Sequence, residues 1–525
     1  MKKIIFYFLI GICLIAPFSS CKKLDVLPES SITDNVYWKT EGQAEAFITG
    51  IHFNLRNQQF NLAWLGEFRA GFYGEISPLL PFLPGAYDES MYNNLTELAF
   101  MPGNFANMYV IINQCNLFIS RVEPNTTFNV QKRSFMLGQA YALRAYCYFI
   151  LVKSWGDAVL VTQPFEEIII DKLNIPASPV PEVLAQIKRD IDKSVDNFGS
   201  NYSFYLNQRA FWSKSATLML KGEVYLWTSQ RHNGGSPDAL IAENALTEIR
   251  TNVPALALNP SYKNVFAFNT KDNSDIIFTI RNEADNTNTW GGNNWLAWMP
   301  SRPSAEQWFD SVLSVQSEAI GQPAVKINGV THPTGTVNSY RGPVKRSLFN
   351  SMLNADTRKW VSLQGTWSRI VDPANPLNIQ YRLDGCYARK YGGFWDNAAG
   401  FRRLIDDYPI YRFSETLLMI AEAKFLQGKD ITAEMNLVRA RAYGSAYQAS
   451  VHGFPNQLGD NDIKEAILKE RLFEFLFEGK RWYDLLRFGA PYITKYSTAT
   501  MNKLLWPIPR AVLINNPALK QNPGY

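Results

Sequence analysis

The stretch "SFMLGQAYALRAYCYFILVKSWGD", Ser134–Asp157, decides the fold. Small and large apolar residues recur in it at helical spacing, and it contains no proline. Leu137-Gly138-x-x-Tyr141 is a pattern known from the first helix of stacked helix-pair repeats, with Ser134 where that pattern carries Trp. The rings of "RAYCYFILV" keep the helical spacing and read as core. Cys147 sits among them and reads as a small buried hydrophobe rather than half of a redox pair.

Outward from this stretch the chain repeats the theme. "NFANMYVIINQCNLFISRV" precedes it, with Cys115 also in an apolar pattern. "EVLAQIKRDIDKSVDNF" followed by "KSATLMLKGEVYLWT" forms a second helix pair. "SETLLMIAEAKFLQGKDITAEMNLVRARA" is a third, joined at Gly428 and Asp430, and "DIKEAILKERLFEFLFEGKRWYDLLRFG" is a fourth. These are tetratricopeptide-like units without a fixed period, so they predict stacked pairs with insertions between them, not a tandem array. Ahead of them, Thr40 is a good N-cap for a helix presenting Ala44, Phe47, Ile48, Ile51 and Leu55 on one face. Residues 66–102 read as a long Pro- and Gly-punctuated loop, a length that points to function. Residues 231–407 read as a large irregular insertion rich in Asn, Gly, Pro and Trp, with "DIIFTI" a short strand. Residues 491–525 read as an extended tail.

The 525 residues are 46% hydrophobic, 19% charged and 14% aromatic, the balance of a core-forming chain with rings to spare. The formal charge is +5, of which Lys2 and Lys3 supply two, and no basic arm or stripe occurs, so nucleic acid is not an expected partner. Lys2 and Lys3, the apolar Ile4–Ile15 and the small Ser19 and Ser20 have the three zones of a secretion signal. No later segment runs apolar for the ~18 residues that a membrane-spanning helix needs. In "APFSSCKKLD" the signal ends on Cys21, where a bacterial lipoprotein presents the thiol to be acylated. Two or three acyl chains at ~0.8 kcal/mol per buried methylene anchor a protein stably. The expected organisation is a signal at 1–20, a lipidated tether at 21–31 and one domain at 32–525. Its helical scaffold covers about 32–230 and 408–490.

Five stretches carry a family resemblance: "LDVLPESSITDNVYW", "LRAYCYFILVKSWGDAVLVT", "YPIYRFSETLLMIAEAK", "ERLFEFLFEGKRWYDLLRFG" and "LLWPIPRAVLINNPALKQNPGY". In this order, behind a lipoprotein signal, they resemble the SusD/RagB family of nutrient-binding outer-membrane lipoproteins of Bacteroidetes. The resemblance implies a mainly α, SusD-like fold with four tetratricopeptide-like helix pairs as scaffold and the irregular insertion packed on one side. It implies a lipid-anchored outer-membrane protein facing the cell exterior, the lid of a SusC-like TonB-dependent transporter, that captures oligo- or polysaccharide for import. Many such lipoproteins place acidic residues directly after the Cys; here Lys22 and Lys23 come first.

No chemistry of catalysis stands out. The four histidines, His52, His232, His332 and His452, do not pair as H-x-x-x-H, and no G-x-S-x-G, C-x-x-C or phosphate-binding loop occurs. No cofactor is expected; Asp406-Asp407 reads equally as a metal-holding or a solvated acidic pair. Glu474 and Glu478 lie four apart on one helix face, the one carboxylate pair to weigh for glycoside cleavage. Arg471, three residues from Glu474, and Arg481, three from Asp484, favour a helix-locking charge network instead, so the chain is read as a non-enzyme.

Sugar recognition needs aromatic rings for the C–H faces and short polar side chains for the hydroxyls. Two stretches have that make-up. "NTNTWGGNNWLAWMPSRPS" offers Trp290, Trp295 and Trp298 with Asn293, Asn294 and Arg302. "FYGEISPLLPFLPGAYDESMYNN" offers Tyr73, Tyr87 and Tyr92 with Asp88, Asn93 and Asn94. "YGGFWDN", Tyr391–Asn397, is a third and weaker candidate. The competing reading of every ring is packing of the insertion onto the scaffold. Competing functional readings are a lipoprotein that captures peptide or serves only as a transporter lid, and, as a minor option, an outer-membrane glycosidase. Which sugar, which linkage and which surface meets the transporter are not encoded legibly.

Overall fold

A computed structural model describes residues 37–74, 88–98, 105–166, 174–283, 325–327, 330–332, 344–371, 374–375, 379–396, 398 and 401–525. The helical scaffold begins with α1 (Glu41–Arg56) and α2 (Gln59–Glu67), continues through α3 (Phe105–Val122), α4 (Val130–Trp155), α5 (Val180–Phe198), α6 (Lys214–Arg231) and α7 (Gly235–Asn252). Strands β1 (Ile276–Ile280), β2 (Val325–Ile327), β3 (Val330–His332), β4 (Leu363–Val371), β5 (Ile379–Ala388), β6 (Phe394–Asp396), β7 (Phe401–Arg403) and β8 (Tyr408–Arg412) follow. The scaffold resumes with α8 (Phe413–Leu426), α9 (Thr432–Tyr443), α10 (Ile463–Phe475) and α11 (Arg481–Phe488).

All four expected helix pairs form, as α3/α4, α5/α6, α8/α9 and α10/α11, each packed partner on partner. Their ends are set by local chemistry. Thr40 and Gln43 make a reciprocal capping box at the start of α1, and Asn129, Ser213 and Asp462 cap α4, α6 and α10. Gly428 takes φ +71 at the α8/α9 join, and Asp430 accepts the Thr432 N–H at 3.1 Å. α4 is buried all round: Ala142, Leu143, Cys147 and Phe149 point to different sides and are each 0% exposed. It is long and apolar enough to cross a membrane, yet it is the central core helix of the scaffold. Cys115, Cys147 and Cys386 are buried thiols, and burial pushes the Cys115 thiol up to about 12.

The structure moves one boundary. Residues 235–252, expected inside the insertion, form α7, which packs on α6 and α8. Its buried face is mostly alanine, Ala239, Ala242 and Ala245 with Leu246 and Ile249, a weak hydrophobic signal in sequence. The irregular part is closed by the antiparallel pairing of β1 with β8, Ile280 opposite Tyr408. That ribbon hands the chain back to α8. The tail is not wholly extended: Ala490–Tyr496 and Arg510–Asn515 are short helices.

Two hydrophobic cores result, a large one around α1–α7 and a smaller one of Leu417, Leu418, Met435, Val438, Ile467 and Leu468 between α8, α9 and α10. Arg412, at the end of β8, carries a buried ion network between strands and helices. Its Nη1 meets Glu474 at 3.0 Å and its Nε meets Glu478 at 2.8 Å. Arg441 and Arg358 complete the shell of Glu474, and Lys390 pairs with Glu478. The expected pairs within the α10/α11 segment are not the ones made. Arg471 reaches Glu415 and Asp484 instead of Glu474, and the Arg481 guanidinium donates to the Leu468 carbonyl. Partners supplied by other elements satisfy buried charges that sequence neighbours cannot face.

Candidate functional site

The segments that carry the two aromatic-polar stretches each have one end at a shared bridge. The first departs after Phe72–Gly74 and the second returns at Val344. Val344 bridges Tyr73 on one side and Cys386 on the other. Lys345 N donates to the Phe72 carbonyl at 2.8 Å, and Val344 N to the Cys386 carbonyl at 3.0 Å. The Cys386 thiol donates back to the Val344 carbonyl at 3.3 Å. Cys386 also pairs with Gly365 at the base of the β4–β5 hairpin. The start of the first loop, the end of the second and the base of that hairpin therefore meet in one contact.

Polar clamps hold the remaining loop ends. Where the second loop departs, Asn282 N donates to Asp407 Oδ1 at 3.0 Å, and Asn282 Nδ2 to the Asp406 carbonyl at 2.9 Å. Arg281 and Lys271 meet the Asp407 carboxylate at 2.9 and 3.1 Å. Burial pushes the Asp406 carboxyl up to about 7, against the N–H it accepts from Gly393. Asp406-Asp407 is thus an anchor of the loop. Among the described residues no group of three His, Cys, Asp or Glu converges as metal ligands do.

In the first loop Tyr92 closes the turn. Its hydroxyl donates to the Gly74 carbonyl at 3.1 Å, and its ring lies 2.8 Å from where a Cβ on Gly74 would stand. Gly74, at φ +91, is required there. Asn94 is exposed, and Asp88 opens the single helical turn Asp88–Met91.

Two candidates are corrected. Tyr73 is 2% exposed and packs on the rings of Phe68 and Phe72, so it is core and presents no face to a ligand. Asn93 is buried at φ +57; it accepts from Arg69 Nε at 2.8 Å and donates to Ser497 and Thr498. Arg69, which it orients, stacks on Trp482 and Trp506 at 4.5 and 5.2 Å. Tyr391 of the third stretch is likewise buried and donates to the Phe477 carbonyl. Trp290, Asn293, Asn294, Trp295, Trp298, Arg302, Tyr87 and Cys21 lie outside the described residues. Val344 and Cys386, which join the loops, carry no sequence signal, because a backbone bridge uses no distinctive side chain.

The carboxylate pair is locked. Glu474 is 0% exposed. Burial alone would raise its carboxyl, but Arg441, Arg412 and Arg358 hold it well below the usual carboxylate range. A general acid needs a proton near neutral pH and access to substrate, and Glu474 has neither.

Comparison with known proteins agrees with this architecture. A family model described as "SusD family" matches residues 396–503, and one described as "Starch-binding associating with outer membrane" matches residues 82–226. The solved structure of B. fragilis NanU is 38% identical with a TM-score of 0.81, covering 95% of this chain and 99% of that one. A SusD superfamily protein from Bacteroides vulgatus is 36% identical with a TM-score of 0.80, covering 93% of this chain and all of that one. The Starch-binding protein SusD of Bacteroides thetaiotaomicron is 23% identical over 482 residues, 82% of this chain and 81% of that one.

Proposed function

The chain belongs to the SusD family, and from that membership we propose that it is a cell-surface glycan-binding protein. It captures oligo- or polysaccharide and passes it to a partner TonB-dependent transporter, on which it rests as a lid. It is held in the outer membrane by acyl chains on Cys21, with Lys22 to about Ser31 as the tether. Its work is binding, a reading supported by the locked state of Glu474 and Glu478.

One observation carries the proposal: the chain leaves the scaffold for the first stretch at Tyr73 and rejoins it downstream of the second at Val344, and these two ends bridge each other. A ligand surface assembled from two loops needs them held near each other, and this bridge ties one end of each segment to the other. Trp290, Trp295 and Trp298 supply ring faces, and Asn293, Asn294 and Arg302 meet hydroxyls. Tyr87, Asp88 and Asn94 complete the surface from the first loop, with Tyr92 holding that loop closed. Tyr73 and Asn93 support it from beneath.

The test is affinity electrophoresis of the purified chain through gels containing a panel of polysaccharides. Retardation by at least one glycan is expected. Mobility unchanged by every glycan, together with binding of a peptide pool, would replace the glycan by a protein nutrient. The lid role is read separately, by co-purification of a transporter with the tagged protein from outer membranes.

A further inference from the structure

The groove between α3, the segment Val159–Phe165 and the C-terminal helix Arg510–Asn515 is not absorbed by the loop site. It encloses about 300 Å³, the lower end of ligand-pocket sizes. It shares no residue with the root of the two loops. Phe105, Tyr109 and Phe165 give it three aromatic walls, and no Asp, Glu, Lys, Arg or His lines it among the described residues.

Phe165 is the informative residue. It is 43% exposed, yet it is held in place: its N–H donates to Asn113 Oδ1 at 2.7 Å, and its carbonyl accepts from Asn113 Nδ2 at 3.3 Å. A side chain whose backbone is clipped on both sides while its ring stays open to solvent is a preorganised contact surface. Two polar groups on the lining remain unused. Asn515, exposed at the end of its helix, has no hydrogen-bond partner among the described residues. The Tyr109 hydroxyl accepts the Val159 N–H at 2.9 Å and keeps its own proton free to donate. The other amides are committed: Asn116 to the Val161 and Gln163 carbonyls, and Asn516 to the Ile175 carbonyl. Between the rings the lining is aliphatic, from Ile112, Val159, Val161, Ile175, Val512 and Leu519, so ring and aliphatic faces with one free amide, one free phenolic proton and no described charge match the C–H face of a neutral sugar, whose hydroxyls both give and accept hydrogen bonds. A charged ligand would meet no counter-charge among the described lining residues.

We propose that this groove is a second saccharide site, for a short neutral unit of a glycan, with Phe165 as platform and Asn515 and Tyr109 as hydroxyl partners. It rests on the glycan-binding reading of the chain and gives it a second contact, so that one polysaccharide strand is gripped at two places and dissociates more slowly than from either alone.

Saturation-transfer difference NMR on the full chain in detergent micelles tests this, with maltohexaose, laminarihexaose and xylohexaose as neutral probes and trigalacturonate as an acidic one. In a Trp295→Ala/Trp298→Ala background, transfer to at least one neutral probe is expected to survive. Adding Phe165→Ala and Asn515→Ala is expected to weaken that binding by about tenfold, whereas Phe165→Trp preserves it. Trigalacturonate is expected to receive none in that background. Both substituted positions are solvent-exposed, so unchanged melting accompanies these losses. If the wild type binds a neutral probe but the Trp295→Ala/Trp298→Ala chain binds none, or if Phe165→Ala/Asn515→Ala changes nothing, the second site is overturned while the glycan-binding reading stands. If the wild type binds no neutral probe, both are overturned.

Discussion

Glu474 shows what a single residue does in this protein. Three guanidiniums surround its buried carboxylate, so removing its charge strands Arg441, Arg412 and Arg358 with too little compensation. Glu474→Gln is therefore expected to cost about 3–5 kcal/mol of stability, read as a lowered denaturant midpoint, with glycan binding by the remaining folded protein unchanged. A catalytic role would give the opposite pattern, with stability kept and activity lost. Glu67 has the reverse electrostatics. It is 0% exposed and accepts the N–H groups of Phe477 and Gly479, and burial pushes its carboxyl up to about 8. The folded protein thus holds a proton that the unfolded chain releases above the ordinary glutamate range. This contribution to stability is full below about pH 4.5 and is lost as pH rises through about 8. Urea unfolding at pH 5 and pH 8 should show a smaller drop between the two for Glu67→Gln than for the wild type. Neither environment was legible in sequence, because the partners come from far away. Arg358 and Glu470, for example, pair across 112 positions. The sequence spacing suggested a charge network around Glu474, and a network exists, but built from different arginines.

At the scale of elements, most of the scaffold was legible. Helical spacing, the Thr40 N-cap, and Gly428 with Asp430 are local signals, and local signals survive folding. α7 was missed because alanines make its buried face. Tyr73 was misassigned because an aromatic beside glycine in a loop has the same composition whether it meets a ligand or, as here, the core. Close packing between elements was invisible too. A Cβ on Gly66, in α2, would stand 1.7 Å from the Gly479 carbonyl oxygen just before α11, a backbone atom that cannot swing aside. Gly66→Ala is expected to push α2 off that turn and lower the melting temperature, or to prevent folding. The Glu67 bonds to Phe477 and Gly479 span the same contact, so hydrogen exchange at those two amides should rise in the folded variant. Unchanged melting and exchange would show that the two elements do not bear on each other there.

At the scale of the whole molecule, a helical body meets the ends of two loop segments at a short bridge, and its fold is that of its SusD relatives. The residues proposed for sugar contact come from composition, whereas the order at the described loop ends comes from Val344, Cys386, Asp406 and Asp407. The central claim is that the Trp-bearing loop binds glycan on a scaffold that does not depend on those rings. Its most direct measurement is calorimetric titration of the wild type and of Trp295→Ala/Trp298→Ala with the polysaccharide that retards the wild type most, alongside thermal melting of both. The account predicts affinity lowered at least tenfold, equivalent to about 1.4 kcal/mol, with an unchanged melting temperature. Wild-type affinity in the double variant, or lost affinity accompanied by an equally large loss of melting temperature, would contradict it.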